Sequence, residues 1–323
     1  MLKTDYPALR LTYDTSLNPL SFDLVFCLAI SRALCDIKKL PDKFDLLLVN
    51  KSYRDVGIEG AYSQEYRERK FNDVIISTAL LCKWVNSLHI VRGETPVPPY
   101  PGPTIPTADS LRLVGKVPQW QITPMVPKQL ESLFEQGARI PDYGFRASGQ
   151  ILDRYRARLK GAVVIHPRVS VHSLARNSDK AKIQEVVRAL RKDGINIFFV
   201  PDIEDLRAGF TWRDLDAEPL LEASLDMETR LAVAEVAATN LLSPGGGNVA
   251  MLHFSPASFL CTGFFDESVL LTSTATYATK GPSFGTNPHW LKADTQIYDW
   301  TPRSALSADQ VHKRLLELIK RDA

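Results

Sequence analysis

From residue 162 onward, short apolar runs alternate with helical patterns, and this alternation limits what the chain can become. Ala162-Val163-Val164-Ile165-His166 reads as a buried strand. A helix capped by Asn177 or Ser178 follows and reaches residue 193, with Ile183, Val186, Val187 and Leu190 on one face. Gly194 sits just past its end, where a helix stop belongs. Ile195 to Val200 is the next strand, ending in Pro201-Asp202. Asp226 opens a helix to residue 239, and Asn240-Leu241-Leu242-Ser243 is a short strand after it. Gly245-Gly246-Gly247 leads into another short helix, and Ser258-Phe259-Leu260-Cys261 is a further strand. Strands separated by helices predict a parallel, Rossmann-like α/β sheet, which binds ligands at the carboxyl ends of its strands. At the end of the chain, Ser307 and Gln310 form a capping box for a helix carrying Val311, Leu315, Leu316, Leu318 and Ile319.

The first half shows the same alternation more faintly. Leu9 to Tyr13 is a strand, and Ser21 caps a helix over 22–36. Phe44 to Val49 is a second strand, residues 70–88 form a helix, and Leu88 to Val91 is a third strand. Residues 96–106 contain six prolines, so neither a helix nor a central strand runs through them. An extended loop across the fold fits this stretch better than a polyproline ligand. Short helices are expected near 127–136 and 148–159. The domain reading is 1–158 and 159–323.

Composition removes several function classes. With 39 basic and 37 acidic residues, the net charge is +2, without the basic stripe of a nucleic-acid binder. No apolar run approaches the ~18–20 residues that span a bilayer. Cys27, Cys35, Cys82 and Cys261 are scattered, which fits buried reduced thiols of the cytoplasm rather than disulfides or zinc ligands. No G-x-S-x-G and no H-E-x-x-H is present. His166 reads as a strand-end residue. Asp214-Leu215-Asp216 has D-x-D form but falls in a polar connection, so no metal and no cofactor is expected.

Two loops can carry chemistry. In the first, residues 166–179, Arg168 stands where a strand ends and Arg176 where a helix begins. A guanidinium there forks two hydrogen bonds onto a phosphate or carboxylate, and the helix opening near 178 adds N–H groups. The second loop is Ser243-Pro244-Gly245-Gly246-Gly247-Asn248. Its glycines let the backbone approach a bulky ligand and form an anion nest, although it is neither a P-loop nor G-x-G-x-x-G.

The segment A-V-V-I-H-P-R-V-S-V-H-S-L-A-R-N-S-D, a helix, then I-N-I-F-F-V-P-D resembles the C-terminal half of GT-B-type glycosyltransferases, nearest to bacterial surface-polysaccharide proteins loosely related to the fucosyltransferase group. The likeness extends through A-A-T-N-L-L-S-P-G-G-G-N-V-A-M-L-H-F-S-P and F-G-T-N-P-H-W-L-K-A-D-T-Q-I-Y-D-W, and covers residues 160–320. It implies two Rossmann-like domains facing each other across a cleft, an acceptor side at 1–158 and a donor side at 159–323. The implied activity is transfer of a sugar from a nucleotide-sugar donor to a glycan or lipid-linked glycan, without a metal, in surface-polysaccharide synthesis. In such proteins the arginine after the first strand of the C-terminal domain clamps the donor phosphates, and Arg168 matches it. Gly245, Gly246, Gly247 and Asn248 match the diphosphate loop; Arg176, Asn177 and Asp202 join the donor set. No catalytic base matches, and Asp14, Asp55 and Glu59 are candidates because they lie in or near loops after strands. A lipid-linked acceptor would bring a cytoplasmic enzyme to the inner face of the membrane as a peripheral partner. A nucleotide-sugar 2-epimerase and a non-catalytic sugar- or partner-binding descendant are the alternatives.

Overall fold

The computed structural model describes residues 8–55, 57–106, 126–170, 174–243, 249–263, 265–280 and 284–322. The chain divides into two compact units, Met1–Gly144 with Thr279–Pro282, and Phe145–Ala278 with Ser283–Ala323. The sequence boundary at 158/159 falls one helix later. That helix, Gly149–Leu159, buries Leu152, Tyr155 and Leu159 and packs on a helix of the second unit.

The first unit holds a four-stranded parallel sheet in the order β3-β2-β1-β4. Its strands are β1 (Arg10–Asp14), β2 (Phe44–Asn50), β3 (Val85–Arg92) and β4 (Thr104–Pro106). β2 is buried on both faces except at Asp45, as a central parallel strand should be. Helix α1 (Asp23–Ile37) crosses over from β1 to β2. Its cap position is Phe22 rather than Ser21; the Ser21 hydroxyl instead meets the Asp23 carboxylate and accepts the Asp23 N–H.

The helix expected at 70–88 starts earlier and stops sooner. It comprises α2 (Gln64–Lys70), a π-helical turn over Phe71–Ile76 and α3 (Ser77–Leu81). Cys82 is extended, which frees Val85 to begin β3. The proline-rich stretch lies across the fold as the sequence suggests. Arg10 donates to the Pro98 carbonyl at 2.9 Å and sits over the Tyr100 ring, whose hydroxyl donates to Asp45 at 2.7 Å. Its end becomes β4, an edge strand, where proline costs no ladder bond. Helix α4 (Val126–Glu135) packs against α1.

The second unit holds a six-stranded, wholly parallel sheet in the order β10-β9-β8-β5-β6-β7. The strands are β5 (Val163–His166), β6 (Ile197–Phe199), β7 (Glu218–Pro219), β8 (Thr239–Leu242), β9 (Phe259–Thr262) and β10 (Gln296–Asp299). Numbered within the unit, this is the 3-2-1-4-5-6 order of dinucleotide-binding sheets, and the strand order reverses between β5 and β8. Helix α5 (Gly149–Leu159) precedes β5, and α6 (Lys180–Lys192) joins it to β6. Gly194, at φ 77°, takes the left-handed position after α6. The remaining helices are α7 (Ile203–Arg207), α8 (Leu221–Leu225), α9 (Met227–Val236), α10 (Val249–Leu252), α11 (Thr274–Lys280) and α12 (Ala308–Asp322). α12 returns to pack on α6, closing a core of Val186, Val187, Leu190, Ile165, Leu241, Leu315 and Leu318.

No described helix is long and apolar enough to cross a membrane. The four cysteines are buried free thiols.

Candidate functional site

In the second unit the carboxyl ends of β5 and β8 border the reversal, where an open parallel sheet leaves a crevice. Arg168 lies two residues beyond β5 and is buried. Its backbone is held by Ser178 from both sides: Arg168 N–H donates to the Ser178 hydroxyl at 2.7 Å, and Ser178 N–H donates to the Arg168 carbonyl at 3.0 Å. The Ser178 hydroxyl also meets that of Ser243, just past β8. Two strand ends that the sequence separates by some seventy residues are thus tied by a serine pair.

Asn177 knits the same loop. Its Oδ1 accepts the Ser170 N–H at 2.8 Å and a longer contact from Arg168 Nη1 at 3.4 Å, while its Nδ2 donates to the Ser170 carbonyl at 3.2 Å. Arg303, far away in sequence, donates from its two terminal nitrogens to the Ala175 and Asn177 carbonyls. Its own carbonyl accepts from Lys182 Nζ at 3.1 Å. Sequence reading missed Arg303, because an arginine in a polar connection carries no local signal.

Arg176 forms no ion pair with Asp179 or Glu185 among the described residues, and its buried Nε has no hydrogen-bond partner there. It faces Tyr277, whose phenol is pushed up by burial against the opposing pull of this guanidinium. Arg176, Asn177 and Ser243 line a cavity of about 60 Å³ together with Lys182 and Arg303, over a floor of Ile183, Val186 and Leu241. Three cations against the single carboxylate of Asp179 make this an electropositive cavity. Arg168 and Asp202 are not among its walls.

Two expectations change. The cap of α6 is Asp179, not Asn177 or Ser178, and its carboxylate accepts the Lys182 N–H at 3.1 Å. That backbone donor is therefore already satisfied and cannot serve a bound anion. Asp202 caps α7 by accepting the Glu204 N–H at 3.1 Å, and it accepts Val169 N–H at 3.4 Å. It braces the loop that carries Arg168. Burial raises its pKa, against backbone hydrogen bonds and the nearby Arg230. Gly245, Gly246, Gly247 and Asn248 lie outside the described residues.

Behind the crevice, His166 and Asn240 join β5 to β8 through Nε2 and Oδ1 at 3.0 Å. The Asn240 amide nitrogen donates to the Ala234 and Ser258 carbonyls, so its oxygen is the acceptor and His166 carries its proton on Nε2. Burial, with a smaller push from Arg230, holds this imidazole down at about 3, and it is neutral at pH 7. His166 is a cross-strand tie. Asp214 pairs with Lys180 on the surface.

In the first unit the order reverses between β1 and β4, and Asp14 is the last residue of β1. Its Oδ1 accepts the Ser16 N–H at 2.8 Å and the Ser16 hydroxyl at 2.6 Å, an Asx-type turn that fixes the carboxylate at the strand end. Glu59 is buried. It accepts from Arg54 and from the Leu20 N–H, both at 3.0 Å, which makes it a structural ion pair rather than a base. Asp55 is 76% exposed and lies 3.1 Å from Arg67.

No family model matches the sequence, and no curated protein matches it. Among solved structures, the chain is similar to a glycosyl transferase family 9 protein from Veillonella parvula DSM 2008, at 9% identity over 98% of each chain, with a TM-score of 0.53. It is also similar to the ADP-heptose lps heptosyltransferase II of E. coli, at 9% identity over 97% of this chain and 98% of that one, with a TM-score of 0.48. An E. coli heptosyltransferase solved with ADP aligns at 14% identity over 97% and 100%, with a TM-score of 0.44. The first likeness shows the fold, the two-unit α/β architecture of GT-B glycosyltransferases.

Proposed function

We propose that this protein is a glycosyltransferase that takes its sugar from a nucleotide-sugar donor and delivers it to a glycan or lipid-linked glycan of the cell surface. One observation carries the reading. On a fold like that of a glycosyl transferase, Arg168 and Arg176 stand on the loop after β5, beside the reversal of a six-stranded parallel sheet. The donor's diphosphate is the ligand such a loop suits. As the bond between the anomeric carbon and the phosphate oxygen breaks, negative charge gathers on the departing diphosphate. Arginines already fixed in a partly desolvated loop stabilise that charge without reorganising. Arg168 and Arg176 are the clamp, Asn177, Asp202 and Arg303 hold it in place, and the 245–248 loop completes it. Asp14 is the candidate base for the acceptor hydroxyl, because its carboxylate alone of the three candidates is fixed at the carboxyl end of a strand beside a reversal.

The test begins with thermal shifts in ADP, GDP, UDP, CMP and dTDP, since a ligand that binds only the native state raises its melting temperature. At least one nucleotide is expected to stabilise the protein. Arg168→Ala should then weaken that nucleotide by about 1.5–3 kcal/mol, the scale of a charged hydrogen bond. Unchanged affinity in a folded variant would overturn the role of Arg168, and no nucleotide binding at all would overturn the transferase reading.

A further inference from the structure

A sheet edge is a row of unpaired N–H and C=O groups, and proteins close such edges with prolines, short strands or a cover. Of the four sheet edges among the described residues, three are closed in this way. β4 has three residues and ends in Pro106, β7 has two and ends in Pro219, and β10 is buried at three of its four positions. β3 is the exception. With eight residues it is the longest strand described, and it contains neither proline nor lysine. No strand lies beyond it among the described residues. Gly93 N–H donates to the Asn50 carbonyl at 3.4 Å, and Asn50 pairs with Arg92 in parallel register. Residues of a strand turn to its two flanks alternately, so His89 and Val91 bond to β2 while Leu88 and Ile90 turn their N–H and C=O outward. Apolar surface gathers at the same place. Three large apolar side chains of the first unit are exposed among the described residues: Leu80 at 70%, Ile90 at 40% and Val97 at 42%. Ile90 belongs to β3, and Leu80 to α3, which packs on β3.

A second copy of the chain can close this edge with its own β3. Two such strands run antiparallel about a two-fold axis, which passes at Leu88, His89 or Ile90. Centred on Leu88, the axis sets Ile90 against Asn86; centred on Ile90, it sets Leu88 against Arg92. Centred on His89, it sets Leu88 of each copy against Ile90 of the other, so both apolar side chains are covered twice over, and Arg92 falls opposite Asn86. In that register Leu88 and Ile90, whose polar backbone groups turn outward, exchange both of their hydrogen bonds across the axis. We propose that β3 is a homodimer interface, in which two four-stranded sheets join edge to edge with His89 opposite His89 and Leu88 opposite Ile90. The interface stands apart from the transferase reading and does not depend on it.

The experiment uses the full-length protein at about pH 8, above the usual titration of imidazole. Sedimentation velocity from about 1 to 200 µM, the range in which small interfaces associate, should show a monomer passing into a dimer. Ile90→Lys puts an ammonium against Leu88 on both sides of the axis and should raise the dissociation constant at least about tenfold. Circular dichroism checks that the variant is folded. A cysteine pair tests the register without that variant. Opposed residues of a non-hydrogen-bonded pair have Cα atoms about 4.5 Å apart, within disulfide reach. His89→Cys should therefore form a covalent dimer in oxidised glutathione. Asn86→Cys, three residues from the axis and about 20 Å from its copy, should not. The four native cysteines are buried, so the wild type serves as the blank. A wild type that stays monomeric overturns the proposal, whether the edge is then bare or kept for an extended peptide of another protein. A dimer that Ile90→Lys leaves intact, or one in which His89→Cys crosslinks no better than Asn86→Cys, lies elsewhere and overturns it too.

Discussion

At the scale of single residues, the structure shows which polar side chains brace the loops at the strand ends. Arg168 and Arg176 draw notice in the sequence because a guanidinium at a strand or helix end can fork two hydrogen bonds onto a phosphate or carboxylate. Glu59 and Asp202 share that sequence position, yet the structure commits Glu59 to Arg54 and Leu20 N–H and Asp202 to Glu204 and Val169 N–H. Local sequence cannot distinguish these cases, since the partner that claims the carboxylate comes from another segment. His166 has a measurable consequence. Its folded pKa lies near 3, whereas an unfolded imidazole titrates near 6.5. Between those values the unfolded chain binds the extra proton, so stability falls as pH drops from about 6.5 towards 3. Urea unfolding at pH 6.5 and pH 4.5 should show a steeper loss for the wild type than for His166→Gln, by up to about 1.4 kcal/mol per pH unit. Parallel pH profiles would show that the imidazole does not stay neutral in the folded protein.

Elements were readable where their ends are chemically marked. The capping box at the start of α12 is present as the sequence suggests: Ser307 N–H donates to Gln310 Oε1 at 3.0 Å, and Gln310 N–H donates to Ser307 Oγ at 3.2 Å. Asp226 caps α9 in the same manner, accepting the Thr229 N–H at 2.6 Å. Ser307→Ala should cost about 1 kcal/mol in a urea melt, and a loss below 0.3 kcal/mol would mean that α12 does not depend on its cap. β7 and β10 escaped notice, the first because two residues leave no pattern, the second because Ile297-Tyr298, flanked by Gln296 and Asp299, is too short an apolar run to mark a strand. Gln296 is buried nevertheless, with its amide nitrogen satisfied by the Leu252, Ser255 and Ala257 carbonyls. The π-helical turn over Phe71–Ile76 shifted the helix boundaries in the first unit for a similar reason, since a wider turn breaks the 3.6-residue period used to find helices.

At the scale of the whole molecule, Gly144 ends the main segment of the first unit and is packed tightly within it. A Cβ on Gly144 would lie 2.6 Å from the Trp84 ring, and that ring is held in place by its Nε1 donating to Asp142 at 2.9 Å. Gly144→Ala should therefore overpack the first unit by about 1–3 kcal/mol. Hydrogen exchange would report it as lost protection across β1 and β2 with β5 and β8 unchanged; equal loss in both units would contradict independent cores. The order of strands in the second unit has a different consequence, for synthesis. β5 is made first but lies in the middle, with β6 on one side and β8 on the other. While the chain emerges from the ribosome, the β8-facing flank of β5 stays an open edge until residue 242 has been translated, and α6 has no α12 to pack against until residue 322. Unpaired edges and bare apolar helix faces are what folding chaperones hold and what aggregation exploits. Slow translation of residues 200–240 would lengthen that vulnerable interval, so codon usage over this stretch should affect soluble yield more than the same change made after β10.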